Sequence, residues 1–259
     1  MDMPPIDALG YRARISILLP ASNTIGEPEF AMLKPIGVTN QTFRLAPTPP
    51  AKSATVGNLE TYAGSVKEKI QPFEDAINVA LQATPKVILL AYSMDTFRGG
   101  VAGAKAMEDG LKAAAKGVPV IVPALAYLDA LNVLGLKPGA TIAGLTPYHP
   151  KEDEEVRNFF VDAGYKVTRV HGFKCNGGAE IAAVTEPQII DALRGLAADK
   201  PQAIVLPGTN MASMKVADQA AAWLGIPVLC CNTVCYWSAL RAAGITDRMS
   251  GFGPLLAWH

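Results

Sequence analysis

Charge is scarce in this chain and evenly balanced. Only 18% of the 259 residues are charged, and 23 basic residues match 23 acidic ones without forming a block of either sign. Proteins that neutralise nucleic-acid phosphates carry clustered lysine and arginine, so we expect no nucleic-acid partner. Half of the residues are hydrophobic. Together with the low charge, this predicts a well-packed globular protein rather than a disordered one.

Long apolar runs are also missing. The longest run, residues 118–128, is interrupted by Pro123 and is too short to span a bilayer. The first residues, Met-Asp-Met-Pro-Pro, have neither the basic start nor the apolar stretch of a secretory signal. We therefore expect a cytoplasmic protein without a membrane partner.

Cysteine is limited to four residues, which are Cys175, Cys230, Cys231 and Cys235. They form no CxxC pair and no zinc-type Cys/His spacing, so we expect neither a structural metal nor a redox motif. No GxGxxG or P-loop spacing is present, and the cofactor prediction is none. Cys230 and Cys231 end an apolar run, where a free cysteine commonly packs as a small hydrophobe.

Strand-like and helix-like segments alternate along the chain, which predicts an α/β protein with mostly parallel sheets covered on both faces. The predicted strands are Arg14–Leu19, Val38–Leu45, Val87–Ala91, Val118–Val122, Thr141–Leu145, Lys166–Val170, Ala203–Leu206 and Val228–Cys231. The predicted helices include Tyr62–Ala83, Gly103–Ala115, Glu152–Ala163, Glu186–Ala198 and Met214–Leu224, where apolar residues recur at spacings of three and four.

The sequence contains an internal repeat, with two copies roughly 110 residues apart. The matching pairs are Val87–Ser93 with Ala203–Thr209, Gly117–Val120 with Gly225–Val228, and Tyr127–Leu131 with Trp237–Leu240. The break at residues 136–140 separates the halves. We therefore predict two lobes, one formed by residues 1–125 with 236–259 and the other by residues 126–235.

Polar turns follow the predicted strands, where open parallel sheets bind ligands. After the first strand, Ser22, Asn23 and Thr24 either bind an anion such as a carboxylate or cap the next helix. After the third, Ser93 supplies a hydroxyl that could hold a carboxylate or a developing enolate. Asp95 there is a base or a helix cap.

Arg98, in the same turn as Ser93 and Asp95, is interpreted as an ion-pair residue. Three further turns complete this set. Tyr148 could donate its phenolic proton or close over a substrate, whereas His149 is either a proton shuttle or an exposed turn residue. Gly208-Thr-Asn-Met211 offers amides, a hydroxyl and a carboxamide, or is simply a tight turn, and Asn232 could complete the cavity.

Taken together, these turns resemble those of the arylmalonate decarboxylase and maleate cis–trans isomerase branch of the aspartate/glutamate racemase superfamily. Asn23 is similar to the isomerases' substrate-carboxylate asparagine, and Ser93 with Phe97-Arg-Gly-Gly is similar to the decarboxylase's dioxyanion turn. Tyr148 in Thr-Pro-Tyr matches the tyrosine placed over the substrate. Residues 173–184 resemble the loop that borders the pocket.

The chain departs from this family at both cysteine positions, which here carry Ala91 and Gly208. Neither residue can act as a nucleophile or an acid, so the two-cysteine racemisation of the superfamily is not expected. A relocated cysteine would be Cys175, on the pocket-bordering loop, or Cys235, at a predicted helix start that would lower its pKa. For both, a buried structural role is the alternative.

The resemblance implies two pseudo-symmetric Rossmann-like lobes, each with a parallel four-stranded sheet flanked by helices, and a site between the lobes. The expected catalytic residues are Tyr148, Ser93 and Thr209. The expected substrate-binding residues are Pro20, Ala21, Asn23, Tyr92, Gly208, Asn210 and Asn232. The partner would be a small mono- or dicarboxylate, and the resemblance is compatible with a homo-oligomer.

The function that we predict is a cofactor-independent lyase, similar to arylmalonate decarboxylase, that works through an enolate or carbanion. The surviving hydroxyls and amides stabilise an oxyanion, which decarboxylation needs, while the proton comes from Tyr148 or water. One alternative is a maleate isomerase using a relocated cysteine. The other is a carboxylate-binding protein without catalysis.

Overall fold

The computed structural model describes residues 7–45 and 73–259. Their strands form two parallel four-stranded sheets of identical strand order, β2-β1-β3-β4 and β6-β5-β7-β8. The first sheet contains β1 (Ala13–Pro20), β2 (Val38–Leu45), β3 (Val87–Leu90) and β4 (Val120–Ile121). The second contains β5 (Thr141–Thr146), β6 (Lys166–Gly172), β7 (Ala203–Leu206) and β8 (Val228–Cys230). The predicted fold class is therefore confirmed, and each of the eight predicted strands is present.

Helices follow the strands and cover the sheets. In the first part of the described chain they are α1 (Gly26–Met32), α2 (residues 73–80), α3 (Gly100–Ala114) and α4 (Pro123–Val133). The remainder are α5 (Pro150–Asp162), α6 (Gly178–Ala182), α7 (Glu186–Ala197), α8 (Met214–Leu224), α9 (Cys231–Ala242) and α10 (Pro254–Trp258). Single 3-10 turns occupy Leu81–Ala83 and Met94–Phe97.

The predicted helices agree with this arrangement wherever they are described. The prediction Tyr62–Ala83 lies partly outside the described residues, and its second part is helical from residue 73 to residue 83. Helix α8 has the predicted bounds, while α3 begins three residues earlier than predicted, at Gly100. Four of the strands are buried at every residue, and these are β3, β4, β7 and β8. This burial explains their uninterrupted apolar sequences.

Helix α9 is central to the packing between the sheets. It begins directly after β8 and packs against α4, α1 and strand β3 of the first sheet. Its residues from Cys231 to Trp237 are all buried. The chain thus returns from the second sheet to the first through α9. The exact lobe boundaries stay a prediction.

One sequence-based placement near α9 is wrong. Strand β8 ends at Cys230, not at Cys231, and Cys231 is the first residue of α9. Cys235, predicted at a helix start, is therefore one turn inside that helix. The cause is that the apolar run Val228–Cys231 continues without a break from the strand into the buried helix, so hydrophobicity does not mark the boundary.

No helix among the described residues is both long enough and apolar enough to cross a membrane.

Candidate active site

A cleft lies where the ends of four strands meet, two from each sheet. The described residues enclose a volume of about 190 Å³ there. The lining residues are Pro20, Ser22, Asn23, Tyr92, Ser93, Met94, Pro147, Tyr148, Gly178, Ile181, Gly208, Thr209 and Asn210. None of these residues is charged. The wall therefore consists of hydroxyls, carboxamides, peptide groups and apolar side chains.

Ser93 and Tyr148 form a hydroxyl pair across the cleft, with 2.8 Å between Oγ and the phenolic oxygen. Ser93 belongs to the turn after β3 and Tyr148 to the turn after β5, so the pair joins the two sheets. The Ser93 carbonyl accepts a hydrogen bond from Thr96 Oγ1 at 2.6 Å. Thr96 Oγ1 in turn accepts the Ala124 amide at 3.2 Å. These contacts hold the Ser93 turn in place.

Tyr148 is held by its own backbone. Its amide donates to Thr146 Oγ1 at 3.1 Å, and that hydroxyl donates to Asp153. Burial raises the pKa of the Tyr148 phenol above its ordinary value, and the charges of Cys231 and Asp95 raise it further. The phenol therefore stays protonated at neutral pH and faces the cleft as a hydrogen-bond donor.

Asn23 fulfils the capping interpretation of its turn. Its Oδ1 accepts the amides of Gly26 and Ile25 at 2.8 and 3.1 Å, where α1 begins. Its Nδ2 donates to Thr209 Oγ1 at 3.1 Å. Among the described residues the second N–H of the carboxamide has no partner, so it is left for a ligand in the cleft. Asn23 is thus both a helix cap and a bridge to the second sheet.

Thr209 and Asn210 bridge the two sheets from the opposite side. Thr209 Oγ1 donates to the Ala91 carbonyl at 2.9 Å. Asn210 Oδ1 accepts the amides of Thr24 and Ile25 at 2.9 and 3.2 Å. Since the Thr24 amide is already paired, the expected anion site at Ser22–Thr24 loses one of its donors. Asn210 also donates to the Gly178 carbonyl at 2.7 Å, which ties down the pocket-bordering loop.

Eight of the ten predicted site residues line the cleft, and two do not. Ala21 is exposed, and its amide donates to the Leu45 carbonyl at 2.8 Å. Asn232 is fully buried beneath Thr209, where its Nδ2 donates to the Thr209 carbonyl at 3.0 Å. Asn232 therefore supports the cleft from behind instead of facing a substrate.

Several other candidates have structural roles. Asp95 and Arg98 form an ion pair with 3.1 Å between Oδ1 and Nη1, which matches the interpretation of Arg98. Asp95 makes no cap of the turn that it belongs to. His149 is exposed at the start of α5. None of the three lines the cleft.

The cysteines proposed as relocated nucleophiles do not line the cleft either. Cys175 is half-buried, and burial raises the pKa of its thiol. Cys235 is fully buried, and burial with the neighbouring Cys231 likewise raises its pKa. The Sγ atoms of Cys231 and Cys235 are 4.0 Å apart.

Cys231, predicted only as a packing residue, interacts with Gly208 and Ser93, which both line the cleft. A hydrogen bond from Cys235 lowers the pKa of the Cys231 thiol, and burial opposes this effect. The Gly208 amide and the hydroxyls of Tyr127 and Ser93 lower it further. The side chain has no exposed surface, so it lies beneath the cleft floor.

Glu29 was also missed. It lies on α1, is 6% exposed, and its carboxylate accepts Asn232 Nδ2 at 2.6 Å and the Met214 amide at 3.2 Å. A lone glutamate in the helix that follows β1 carries no sequence signal of burial. Gly178 and Ile181, by contrast, belong to the predicted pocket-bordering loop.

Within the described residues, no three His, Cys, Asp or Glu side chains are grouped as they would be around a metal ion. Two lobes of identical topology with an uncharged cleft at their strand ends define a two-lobed α/β protein with an interlobe site. The family model described as arylmalonate decarboxylase matches residues 58–256. The chain belongs to this family.

Solved structures agree in fold. The chain is similar to maleate cis–trans isomerase of Nocardia farcinica, at 22% identity and a TM-score of 0.80, over 94% of this chain and 97% of that one. It is also similar to unliganded arylmalonate decarboxylase, at 19% identity and a TM-score of 0.74, over 95% and 99%. A search among curated proteins found no match.

Proposed function

We propose that this chain is a cofactor-independent lyase that decarboxylates a small malonate-type dicarboxylate through an enolate. The observation that carries the proposal is the Ser93–Tyr148 hydroxyl pair, 2.8 Å apart, in the cleft between the sheets. One hydroxyl of such a pair donates to the other, and the acceptor's own proton remains free for a substrate oxygen. The family's description as arylmalonate decarboxylase supports the same class of reaction.

The lack of charged side chains in the described cleft wall favours decarboxylation over simple binding. A malonate carries two carboxylates, and moving them into a small uncharged cleft is costly without a cation. Loss of carbon dioxide followed by protonation of the α-carbon removes one of these charges. A protein that only retains a dicarboxylate would gain from an arginine or lysine, and none lines the described cleft. The volume of about 190 Å³ suits a small substrate.

In the proposed reaction, the bond between the α-carbon and one carboxylate breaks, and its electron pair stays on the α-carbon as an enediolate. Ser93, the Thr209 turn and the free N–H of Asn23 would hold the enediolate oxygens. Loss of one donor of this kind typically costs about 3 kcal/mol of transition-state stabilisation. Tyr148 would then give its phenolic proton to the α-carbon and recover a proton from water.

The test is proton NMR in D₂O with an arylmalonate and maleate together. We expect loss of the arylmalonate and one deuteron at the α-carbon of the product. Tyr148→Phe should lower kcat about 10²- to 10⁴-fold, and Ser93→Ala about 10²- to 10³-fold. Tyr165→Phe is the matched control, because the Tyr165 hydroxyl donates to the Leu136 carbonyl outside the cleft. Full activity of Tyr148→Phe would contradict the assigned proton donor.

A second candidate function is favoured by Cys231. Its thiol has a lowered pKa and interacts with the Gly208 amide and the Ser93 hydroxyl, which both border the cleft. As a thiolate it would add to the double bond of maleate, allow rotation, and leave again, which requires the cleft floor above the buried Cys231 to open. A variant of the Nocardia farcinica isomerase carries a covalently bound succinylcysteine, at 24% identity and a TM-score of 0.79 over 95% and 98% of the two chains.

The two candidates give opposite results in the same NMR experiment. Conversion of maleate to fumarate that is lost in Cys231→Ser and kept in Cys235→Ser and Cys175→Ser would establish the isomerase. Decarboxylation that survives Cys231→Ser would establish the lyase. Saturable binding of either compound without turnover would instead indicate the non-catalytic alternative.

A further inference from the structure

Glu29 makes contacts that the proposed reaction leaves unexplained. Its side chain starts on α1, beside the first sheet, and ends among groups that follow strands of the second sheet. Oε2 accepts Asn232 Nδ2 at 2.6 Å and Oε1 accepts the Met214 amide at 3.2 Å. The Ser213 amide contributes a further hydrogen bond. Every one of these partners is a donor, so the surroundings match an ionised carboxylate.

Asn232 passes this interaction on to the cleft. Its Nδ2 donates both to Glu29 and to the Thr209 carbonyl, the latter at 3.0 Å. Its Oδ1 is buried and has no hydrogen-bond partner among the described residues. Leaving a buried acceptor unpaired is unfavourable, so this orientation persists because both hydrogens are used on the other side. Glu29 and the Thr209 carbonyl together fix this orientation of the Asn232 carboxamide.

Thr209 then connects this network to the substrate side. Its hydroxyl donates to the Ala91 carbonyl and accepts Asn23 Nδ2, and the residue lines the cleft. A displaced Thr209 carbonyl would therefore move the turn that carries Gly208 and Asn210. We propose that Glu29 is a positioning residue: as a carboxylate it orients Asn232 and thereby holds the Thr209 turn in its place in the cleft.

A neutral Glu29 would not do this. Its carboxyl proton would need an acceptor, and within this network the Oδ1 of Asn232, which has no partner among the described residues, would be that acceptor. Rotating the carboxamide to meet it would point Oδ1 at the Thr209 carbonyl, and two acceptors repel. Protonation of Glu29 would therefore release the Thr209 turn.

The groups around Glu29 place this change near neutral pH. Burial raises the pKa of Glu29 to about 7, although Asn232 and the amides of Met214 and Ser213 act in the opposite direction. Cys230 of β8 also faces the carboxylate, which contributes to the raised pKa of that thiol. On the helix of Glu29 itself, Glu27 pairs with Arg44 at the surface.

The proposal rests on the proposed function, and its test includes a readout that needs no turnover. The carboxyl carbon of Glu29 and the methyl group of Thr209 would be followed by carbon-13 NMR from pH 5 to pH 9. We expect both to titrate with one midpoint near 7, and the Thr209 titration to vanish in Glu29→Gln. Glu27→Gln is the matched control on the same helix and should leave it unchanged.

Kinetics supply the second readout. In the wild type, kcat for decarboxylation should rise with pH, with a midpoint near pH 7 that matches the titration of Glu29. Glu29→Gln should lower kcat about 10- to 100-fold, with little change in KM and no rise near pH 7, because the glutamine amide offers a donor where a second acceptor is needed. Glu27→Gln should behave as the wild type.

The double variant Glu29→Gln with Asn232→Asp separates positioning from mere packing. The exchanged pair can still form a hydrogen bond, but position 232 no longer offers a donor to the Thr209 carbonyl. We expect kcat to stay low. The proposal would be overturned if the double variant recovered the wild-type kcat. It would also be overturned if the chemical shift of the Thr209 methyl did not change as Glu29 titrates. Coupled titration without turnover on any malonate would uphold it and reject the proposed lyase function.

Discussion

At the scale of single residues, the sequence predicts several residues of the cleft but not the hydrogen bonds that their side chains make. Ser93, Tyr148, Asn23 and Thr209 follow strands, and the rule for open parallel sheets predicts their position. The rule does not predict which of their atoms are already paired. Thr209 uses its hydroxyl hydrogen on the Ala91 carbonyl, so it acts as a support more than as a donor to substrate.

Cys231 gives a prediction at this scale. Since Cys235, Gly208, Tyr127 and Ser93 all lower the pKa of its thiol, we expect one thiol to titrate below the ordinary value of 9.0. Thiolate absorbance against pH measures this. The low transition should disappear in Cys231→Ser and move upward in Cys235→Ser, which removes the strongest of these hydrogen bonds. Cys175→Ser is the control, and a low transition that survives Cys231→Ser would contradict the assignment.

At the scale of elements, hydrophobic periodicity in the sequence predicts the strands and helices themselves. It does not predict the residue at which strand β8 ends and helix α9 begins. Strands β3, β4, β7 and β8 and helix α8 were predictable, because burial on both sides gives short apolar runs and one-sided burial gives the helical spacing. The start of α9 was not. The same apolar residues continue from β8 into a buried helix, so Cys231 was read as the end of a strand.

The turn after β7 gives the prediction for this scale. Gly208 has φ +132°, and a Cβ there would lie 2.9 Å from Pro147 Cδ. Any side chain at this position meets both backbone strain and the proline ring. Gly208→Ala should therefore lower the free energy of unfolding by about 1–3 kcal/mol, measured by urea denaturation. Gly117→Ala, at φ +88° with open space around it, is the control and should cost less.

If Gly208→Ala were neutral, the turn would have another conformation in solution. The same geometry explains why this position carries glycine where the resemblance leads one to expect a cysteine. A cysteine could be accommodated only after the turn and Pro147 had moved. The sequence alone reveals glycine in place of cysteine at position 208. The reason for it depends on the φ angle of Gly208 and on its contact with Pro147 in another turn, which only the structure gives.

At the scale of the whole molecule, hydrogen bonds near the cleft join the two sheets at many points. Asn23 meets Thr209, Asn210 meets the amides of Thr24 and Ile25, and Ser93 meets Tyr148. The internal repeat in the sequence predicts the two lobes, because the repeat can be recognised even though most residues differ between its two copies. The interlobe hydrogen bonds join residues from 55 positions apart, for Ser93 and Tyr148, to 203 positions apart, for Glu29 and Asn232, and no local pattern indicates them.

Glu29 connects this architecture to pH. Its pKa is about 7 in the folded protein against an ordinary value of 4.5, so the folded state binds the proton more tightly than the unfolded chain does. The resulting stabilisation is complete below about pH 4.5 and is lost as pH rises to about 7. At roughly 1.4 kcal/mol for each pH unit, the loss amounts to about 3 kcal/mol.

We therefore expect the free energy of unfolding of the wild type to fall between pH 5 and pH 7 relative to that of Glu29→Gln, and the difference to level off above pH 7. Urea denaturation at several pH values measures it, with Glu27→Gln as the control that keeps the wild-type slope. A pH-independent difference would mean that Glu29 is ionised throughout. If the stability difference and kcat change over the same range in opposite directions, one buried carboxylate accounts for both. The protein would then keep its site in register at neutral pH through an ionised group that weakens the fold.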